Sequence, residues 1–336
     1  MARPFDLRDV SAVQRLHANA RPLAALHIAV NGLAPLREAM RAYVGGVRDA
    51  VVCMVDRDSE EGVEAYALMQ VMPDASSPDV ARPRGATMIL FAPGPTTEPL
   101  AHAWVALTNE LASAAAERGV HHIVADAQEG GVETMTLQAA GFAPMLQQDL
   151  MKLPHTIGAP QIEGPAVEGL REVTRDDEPL IRALHIRCAP KMTYQAEVTY
   201  DALVGQLRTH KAWVLVKHNE AVGFVGFWQG RRGRALRCLF RPDIEAQAEA
   251  SIRHALAHDP YARATYCGVR HYQSDLLPVL HALGFVHVNT TVLMIRHTAA
   301  RVRHPVWSVS PELATARQRP VSYKFSTPGK FGGRKK

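Results

Sequence analysis

An α+β fold built twice in tandem is what this sequence predicts, each copy a mixed, mostly antiparallel twisted sheet flanked by helices and the pair followed by a basic tail. Three observations carry the prediction. Leu137, Ala139, Gly141, Phe142, Leu150 and Met151 recur at a constant offset of 143 residues as Leu280, Ala282, Gly284, Phe285, Leu293 and Met294. The same order of helical and strand-like patterns precedes both copies of that frame. A Pro- and Gly-rich stretch, LPHTIGAPQIEGPAVEG, lies between them and reads as a linker. The chain of 336 residues is also long for one core, which favours two domains. We place them at 1–153 and 168–298, with a linker over 154–167 and a tail over 299–336.

Each copy opens on a capped helix, Asp9 to His17 with Val10, Val13 and Leu16 on one face, then TRDDEPLIRALH with Leu180, Ile181 and Leu184. Pairs of strands follow, DAVVCMVD with EAYALMQV and AWVLVKH with AVGFVGFWQG, the second pair joined by the polar turn HNE. A third strand ends in Leu-Phe-x-Pro in both copies, as Leu90, Phe91, Pro93 and as Leu239, Phe240, Pro242. The long helices are EPLAHAWVALTNELASAAAERG and IEAQAEASIRHALAH. A strand (HHIVADA; ATYCGV), a short helix, the Gly-Phe pair and a last strand complete each copy. Gly141 and Gly284 stand where a left-handed residue stops a helix and turns the following Phe onto the core. Pro278 falls within the first turn of its helix if Ser274 or Asp275 is the N-cap, where a missing N–H costs nothing.

Charge is unevenly placed. From residue 301 on, nine Lys or Arg face one acidic residue, Glu312, so the net charge of +5 sits wholly in the tail, which has no sustained apolar period. The opening MARPFDLRDV has no apolar signal core and no window approaches a membrane span, so a soluble cytoplasmic protein without membrane contact is expected. Cys53, Cys188, Cys238 and Cys267 form no Cys-x-x-Cys pair and read as buried thiols. His121 and His122, adjacent on a strand, point to opposite faces, and no metal site is expected. Arg231, Arg232, Arg234 and Arg237 in QGRRGRALR read as a solvated hairpin turn, or as cations meeting a phosphate, an acidic substrate or RNA.

The order of these elements, with the strand ending in x-Pro and the short helix ending in Gly-Phe, resembles the GNAT acetyltransferase superfamily, present twice over roughly 5–152 and 168–297. The resemblance implies N-acetyl transfer from acetyl-CoA, held between splayed strands, to an amine. It also implies a Gln/Arg-x-x-Gly-x-Gly/Ala loop whose amides cradle the CoA pyrophosphate at a helix N-terminus. The matching positions here are Glu245, Ala248 and Ala250 in the second copy and Thr96, Pro99 and Ala101 in the first. Glu245 and Glu249 repel a pyrophosphate, whereas Gly94, Thr96 and Thr97 offer an uncharged turn, so the first copy is the favoured donor site. Candidate donor-binding residues are therefore Phe91, Gly94, Thr96 and Thr97, and in the second copy Phe240, Arg241, Ala248 and Ala250. The Tyr that the family places four residues before the Gly to protonate the CoA thiolate is replaced by Leu137 and Leu280. Cys267 at a strand end and Tyr272 before the short helix are candidate replacements, and Glu64, on the second strand, is the candidate carboxylate for the attacking amine.

Two functions remain open at this level. One is acetyl transfer resting on proximity and backbone donors. The other is a non-catalytic tandem module whose basic tail contacts nucleic acid or a protein partner.

Overall fold

The computed structural model describes residues 2–45, 51–56, 63–72, 85–154, 166–191, 193, 211–259 and 263–298, all within one compact unit, Met1–Ala300. Most of the linker stretch and the whole basic tail, with the nucleic-acid contact assigned to it, lie outside the described residues.

Both copies begin with the same ion pair. Arg3 donates to both carboxylate oxygens of Asp9 at 2.8 Å, and the Asp6 N–H donates to one of them at 2.9 Å. Arg171 donates to Asp177 at 2.7 and 2.6 Å, with the Thr174 N–H at 2.8 Å. Asp9 and Asp177 are buried, and each carboxylate receives several charge-assisted bonds that offset its desolvation. The pair pins a short strand, β1 (Arg3–Pro4) or β8 (Leu170–Glu172), to the helix that follows, α1 (Val10–Leu16) or α6 (Glu178–Cys188).

The first copy continues with β2 (Arg21–Pro22), α2 (Ala25–Asn31), α3 (Pro35–Gly45), β3 (Val51–Asp56), β4 (Ala65–Met72), β5 (Gly85–Ala92), α4 (Glu98–Glu117), β6 (His122–Ala127), α5 (Val132–Ala139) and β7 (Ala143–Leu153). The second continues with β9 (Ala212–Lys217), β10 (Glu220–Gln229), β11 (Arg234–Phe240), α7 (Glu245–His258), β12 (Thr265–Arg270), α8 (Leu276–Ala282) and β13 (Val286–His297). His218 and Asn219 both take positive φ, 49° and 63°, which matches the tight two-residue hairpin turn between β9 and β10. Pro278 is the third residue of α8, behind Asp275 as N-cap.

The repeated Gly-Phe pair closes both short helices in the same way. Gly141 and Gly284 have φ of 85° and 88°. The Phe142 and Phe285 N–H groups donate back to the Leu137 and Leu280 carbonyls, each at 2.9 Å, and both aromatic rings are buried. A Cβ at either glycine costs about 1–2 kcal/mol through its left-handed backbone alone. Leu137 and Leu280 themselves are fully buried core residues.

The strands form one sheet in the order β1-β3-β4-β5-β6-β13-β7-β12-β11-β10-β9-β8, with β2 added against β5. Its centre explains the repeated Leu-Met. β13, the last strand of the second copy, pairs with β6 of the first, from Val292↔Ala127 to His297↔His122. β7, the last strand of the first copy, pairs with β12 of the second, from Thr265↔Leu153 to Arg270↔Gln148. The two closing strands are thus exchanged and lie side by side. Met294 packs into the first copy's core with Trp104 and Leu107, and Met151 into the second copy's core with Trp213 and Leu215.

Side-chain alternation divides each copy's core between the two faces of the sheet. In β4, Ala67, Met69 and Val71 pack towards α4, while Tyr66 and Leu68 pack with Val13 of α1 and Ala39 of α3. In β9, Trp213 and Leu215 pack towards α7, while Val214 packs with Ile181 and Leu184 of α6. On the α1/α6 face the two clusters leave a seam between the copies.

Candidate functional site

Two pairs of parallel strands diverge in the sheet. β5 and β6 pair only over Gly85–Thr87 with His122–Val124, and β11 and β12 only over Arg234–Leu236 with Thr265–Cys267. Past those positions each pair opens a notch whose strand edges can bond another extended chain.

In the first notch that chain is the protein's own. β2 pairs with Leu90 and Phe91 of β5, and the Leu23 N–H donates to the Ile89 carbonyl at 2.9 Å, where β5 carries a bulge. Across the notch the Asp126 N–H donates to the Leu23 carbonyl at 2.7 Å, and the Asp126 carboxylate accepts the Ala25 N–H at 2.9 Å. The loop beyond is committed too: the Gly94 N–H donates to the Asn19 carbonyl at 3.0 Å and the Thr96 N–H to the Gly94 carbonyl at 2.8 Å. The Arg21 side chain lies over Gly94, 2.6 Å from where a Cβ would stand. Phe91 is buried, stacked on Trp104 at 4.4 Å, and Trp104 donates to the Pro93 carbonyl at 2.8 Å. Sequence reasoning favoured this copy for the donor because its loop is uncharged; here the segment Asn19–Ala25 bonds to both strand edges.

The second notch differs. Among the described residues no strand pairs with β11 on the β12 side past Leu236. α7 begins at Glu245, directly after the short 3-10 turn Pro242–Ile244; Ile244 provides no side-chain cap, and Arg241 just before the turn is half-exposed. Arg241 stands 4.0 Å from Glu220. Phe240 is buried beneath the loop. Ala248 requires a correction: it sits inside α7 rather than in the loop, fully buried in the second core, and cannot line a phosphate site. Ala250 lies half-buried, also within the helix.

The candidate catalytic side chains are not brought together. Cys267 lies in the middle of β12, not at its end, and is buried against Cys238, whose thiol is pushed well up by burial first and by Cys267 second. A thiol raised in this way, as that of Cys238 is, is unreactive near neutrality. Tyr272 is half-buried in the short turn His271–Gln273, whose Gln273 amide donates to the Cys238 carbonyl at 3.3 Å. Glu64 precedes β4 instead of lying on it, and pairs with Arg15.

What does assemble is a cavity of about 90 Å³ in the seam, lined by both copies. Arg237 of β11 with Gly268 and Arg270 of β12, residues just past the last paired position, form one wall, so the cavity reaches the second notch. Val124 and Asp126 of β6 form the opposite wall, and Leu26 and His27 of α2 the roof. Gly268 allows the Gln148 amide to lie across β12, with Oε1 3.1 Å from a Cβ position there. Gln148 is buried, and Thr291, its partner on β13, holds a buried hydroxyl without a hydrogen-bond partner. Burial raises the Asp126 carboxyl, against the opposing pull of Arg270 and the Ala25 N–H. Burial also lowers the His27 imidazole; Glu38 raises it and Arg231 lowers it further. His27 lies 6.1 Å, ring to ring, from Trp228 on the far copy.

The second copy grips α2 from below. The Arg232 and Gly233 N–H groups of the QGRRGR turn both donate to the Val30 carbonyl, at 2.8 and 3.1 Å. That turn is therefore a docking point for the roof, not simply a solvated loop. Sequence reasoning missed His27, Asp126 and Gln148. The available signal was an Asp set among alanines in an apolar strand, HIVADA, and a Gln-Gln-Asp run in LQQDLM.

A GCN5-related N-acetyltransferase from Sphaerobacter thermophilus superposes on 89% of this chain and 95% of its own, with a TM-score of 0.51 at 14% identity. The chain has the GNAT acetyltransferase fold. It holds that fold in two tandem copies, a mixed α+β architecture. A tandem GNAT protein from the clavulanic acid biosynthesis pathway is similar over 89% of this chain and 98% of that one, at 16% identity and a TM-score of 0.49. The first of these likenesses carries the fold assignment, and neither assigns a substrate. No family model matches the chain, and no curated protein matches it in sequence. Among the described residues no helix is long and apolar enough to cross a membrane.

Proposed function

We propose that the protein is an N-acetyltransferase in which the second GNAT copy holds acetyl-CoA in the β11/β12 notch and the seam cavity receives the amine. The observation that supports this reading most is the continuity of the cavity with the only notch that, among the described residues, is not filled by the chain itself. The donor supplies a thioester carbonyl. The free edge of β11 past Leu236 offers backbone donors to polarise it, and the α7 N-terminus with Arg241 offers a place for the pyrophosphate.

His27 is the proposed base. Its imidazole is kept neutral by burial, sits in the cavity roof, and takes the proton that the amine sheds as it attacks. Gln148 and Arg270, both buried, orient the acceptor. With Leu280 in place of a tyrosine, the departing thiolate has no side-chain acid at that position, and rate acceleration rests on proximity and carbonyl polarisation. The first copy is a scaffold whose own segment replaces a donor.

Calorimetric titration of CoA into the full chain tests the reading. Binding of micromolar strength is expected, lost in Gly268→Leu, which crowds the second notch, and retained in Thr97→Trp beside the first. Silence at millimolar CoA, or loss in Thr97→Trp alone, overturns it.

A further inference from the structure

We infer that the acceptor amine carries an anionic group, a carboxylate or a phosphate, which lies in a basic groove adjoining the seam cavity. The inference rests on the seam cavity being the acceptor pocket, and it names the substrate class of that pocket. A second cavity of about 290 Å³ lies beside the first, under α2 and α3, and the two share His27, Gln70 and Trp228. Among the described residues its charged lining is Arg37, Arg41 and Arg231 against Glu38. Glu38 pairs with Arg37 and stands 3.9 Å from Arg41, and Arg231 lies on the same groove from the other copy.

A further cation closes the groove. Gly32, at the end of α2 with φ of 73°, has no side chain, and the Arg232 guanidinium passes where one would stand, 2.5 Å from the Cβ position. Two copies therefore contribute to this patch, Arg37 and Arg41 from α3 and Arg231 and Arg232 from the hairpin that grips α2. Planar guanidinium forks suit carboxylate and phosphate oxygens. The Arg37 and Arg41 side chains are each 56% exposed, so they meet an anion from the groove rim with little further desolvation. His27 stands at the junction of the two cavities, which places an amine at the base and an anion towards α3 in one short bifunctional molecule.

The test uses ω-amino carboxylates of stepped chain length, the matched n-alkylamines, and the matched aminoalkyl phosphates. Each is titrated into the full chain saturated with CoA and assayed for acetylation with acetyl-CoA. At the best length the anionic amine is expected to bind at least about tenfold tighter than the alkylamine, equivalent to about 1.4 kcal/mol. The carboxylate and phosphate series show which oxyanion the groove prefers. The double variant Arg37→Gln/Arg231→Gln, checked for an unchanged unfolding midpoint, should bring the anionic amine down to the level of the alkylamine.

Equal binding with and without the anion, a preference that survives the double variant, or no binding by any probe overturns the inference. Preferential binding without acetylation keeps the anion groove and removes the acetyl-transfer reading. Acetylation without preference does the reverse.

Discussion

His27→Gln lowers kcat/KM for acetyl transfer by about 10²- to 10⁴-fold, the range that general-base removal produces, while CoA binding measured by calorimetry stays within about twofold. The pH profile supplies the sharper readout. A base is active when neutral, so the wild-type rate rises as pH climbs through the His27 pKa and then levels. Burial places that pKa below the ordinary imidazole value of 6.5, and the rise therefore lies on the acid side of it. His27→Gln removes the rise. A variant that loses rate but keeps the acid limb assigns that limb to another group, and a variant with full activity removes His27 from the chemistry. Arg231 lowers the imidazole further, so Arg231→Gln should move the limb upwards.

Met294→Ala destabilises the protein by about 2–5 kcal/mol, and Met151→Ala by a similar amount, the range for truncating a fully buried methionine. The size is ordinary but the location is not. Met294 belongs by sequence to the second copy yet fills the first copy's core beside Trp104, and Met151 does the converse beside Trp213. Each loss is therefore felt across the exchanged strands, and denaturant unfolding of either variant should remain one transition seen alike at Trp104 and Trp213. Two separated transitions, with Met294→Ala affecting only the second, would contradict the exchange.

The sequence carried much of this in its periodicities. The nearly continuous apolar runs AYALMQVM and AVGFVGFWQ marked strands because both faces of each are buried, and Gly141 and Gly284 marked helix stops because their backbone demands it. The pairing of β13 with β6 was not legible. Its inward residues Val292 and Met294 suit either copy's core equally, since the two copies share that pattern, and nothing local distinguishes the partners. The ion pairs Arg3–Asp9 and Arg171–Asp177 stand at equal spacing in both copies, and only alongside the fold does that spacing acquire a meaning.

The candidate site was less accessible still. Glu64, Cys267 and Tyr272 have the right chemistry at positions the family makes plausible, yet an ion pair holds the first and a core the second. In the sequence His27 is one polar residue in the apolar stretch ALHIAVN, and its importance depends on a roof that spans both copies. The loop Gly94–Thr97 looked the better donor cradle because its sequence lacks charge, and the competing strand came from residues 19–25, far off in the chain.

The reciprocal strand exchange underlies the shared sheet, the seam and the cavity, and a disulfide trap tests it most directly. His122 and His297 are cross-strand partners on β6 and β13, a pairing whose Cα separation lies within disulfide reach. The variant His122→Cys/His297→Cys should form an intramolecular disulfide under mild oxidation, seen as a peptide pair that joins the two copies and disappears on reduction. A monomer that stays unlinked under those conditions, or a link that forms only between molecules, would contradict the account.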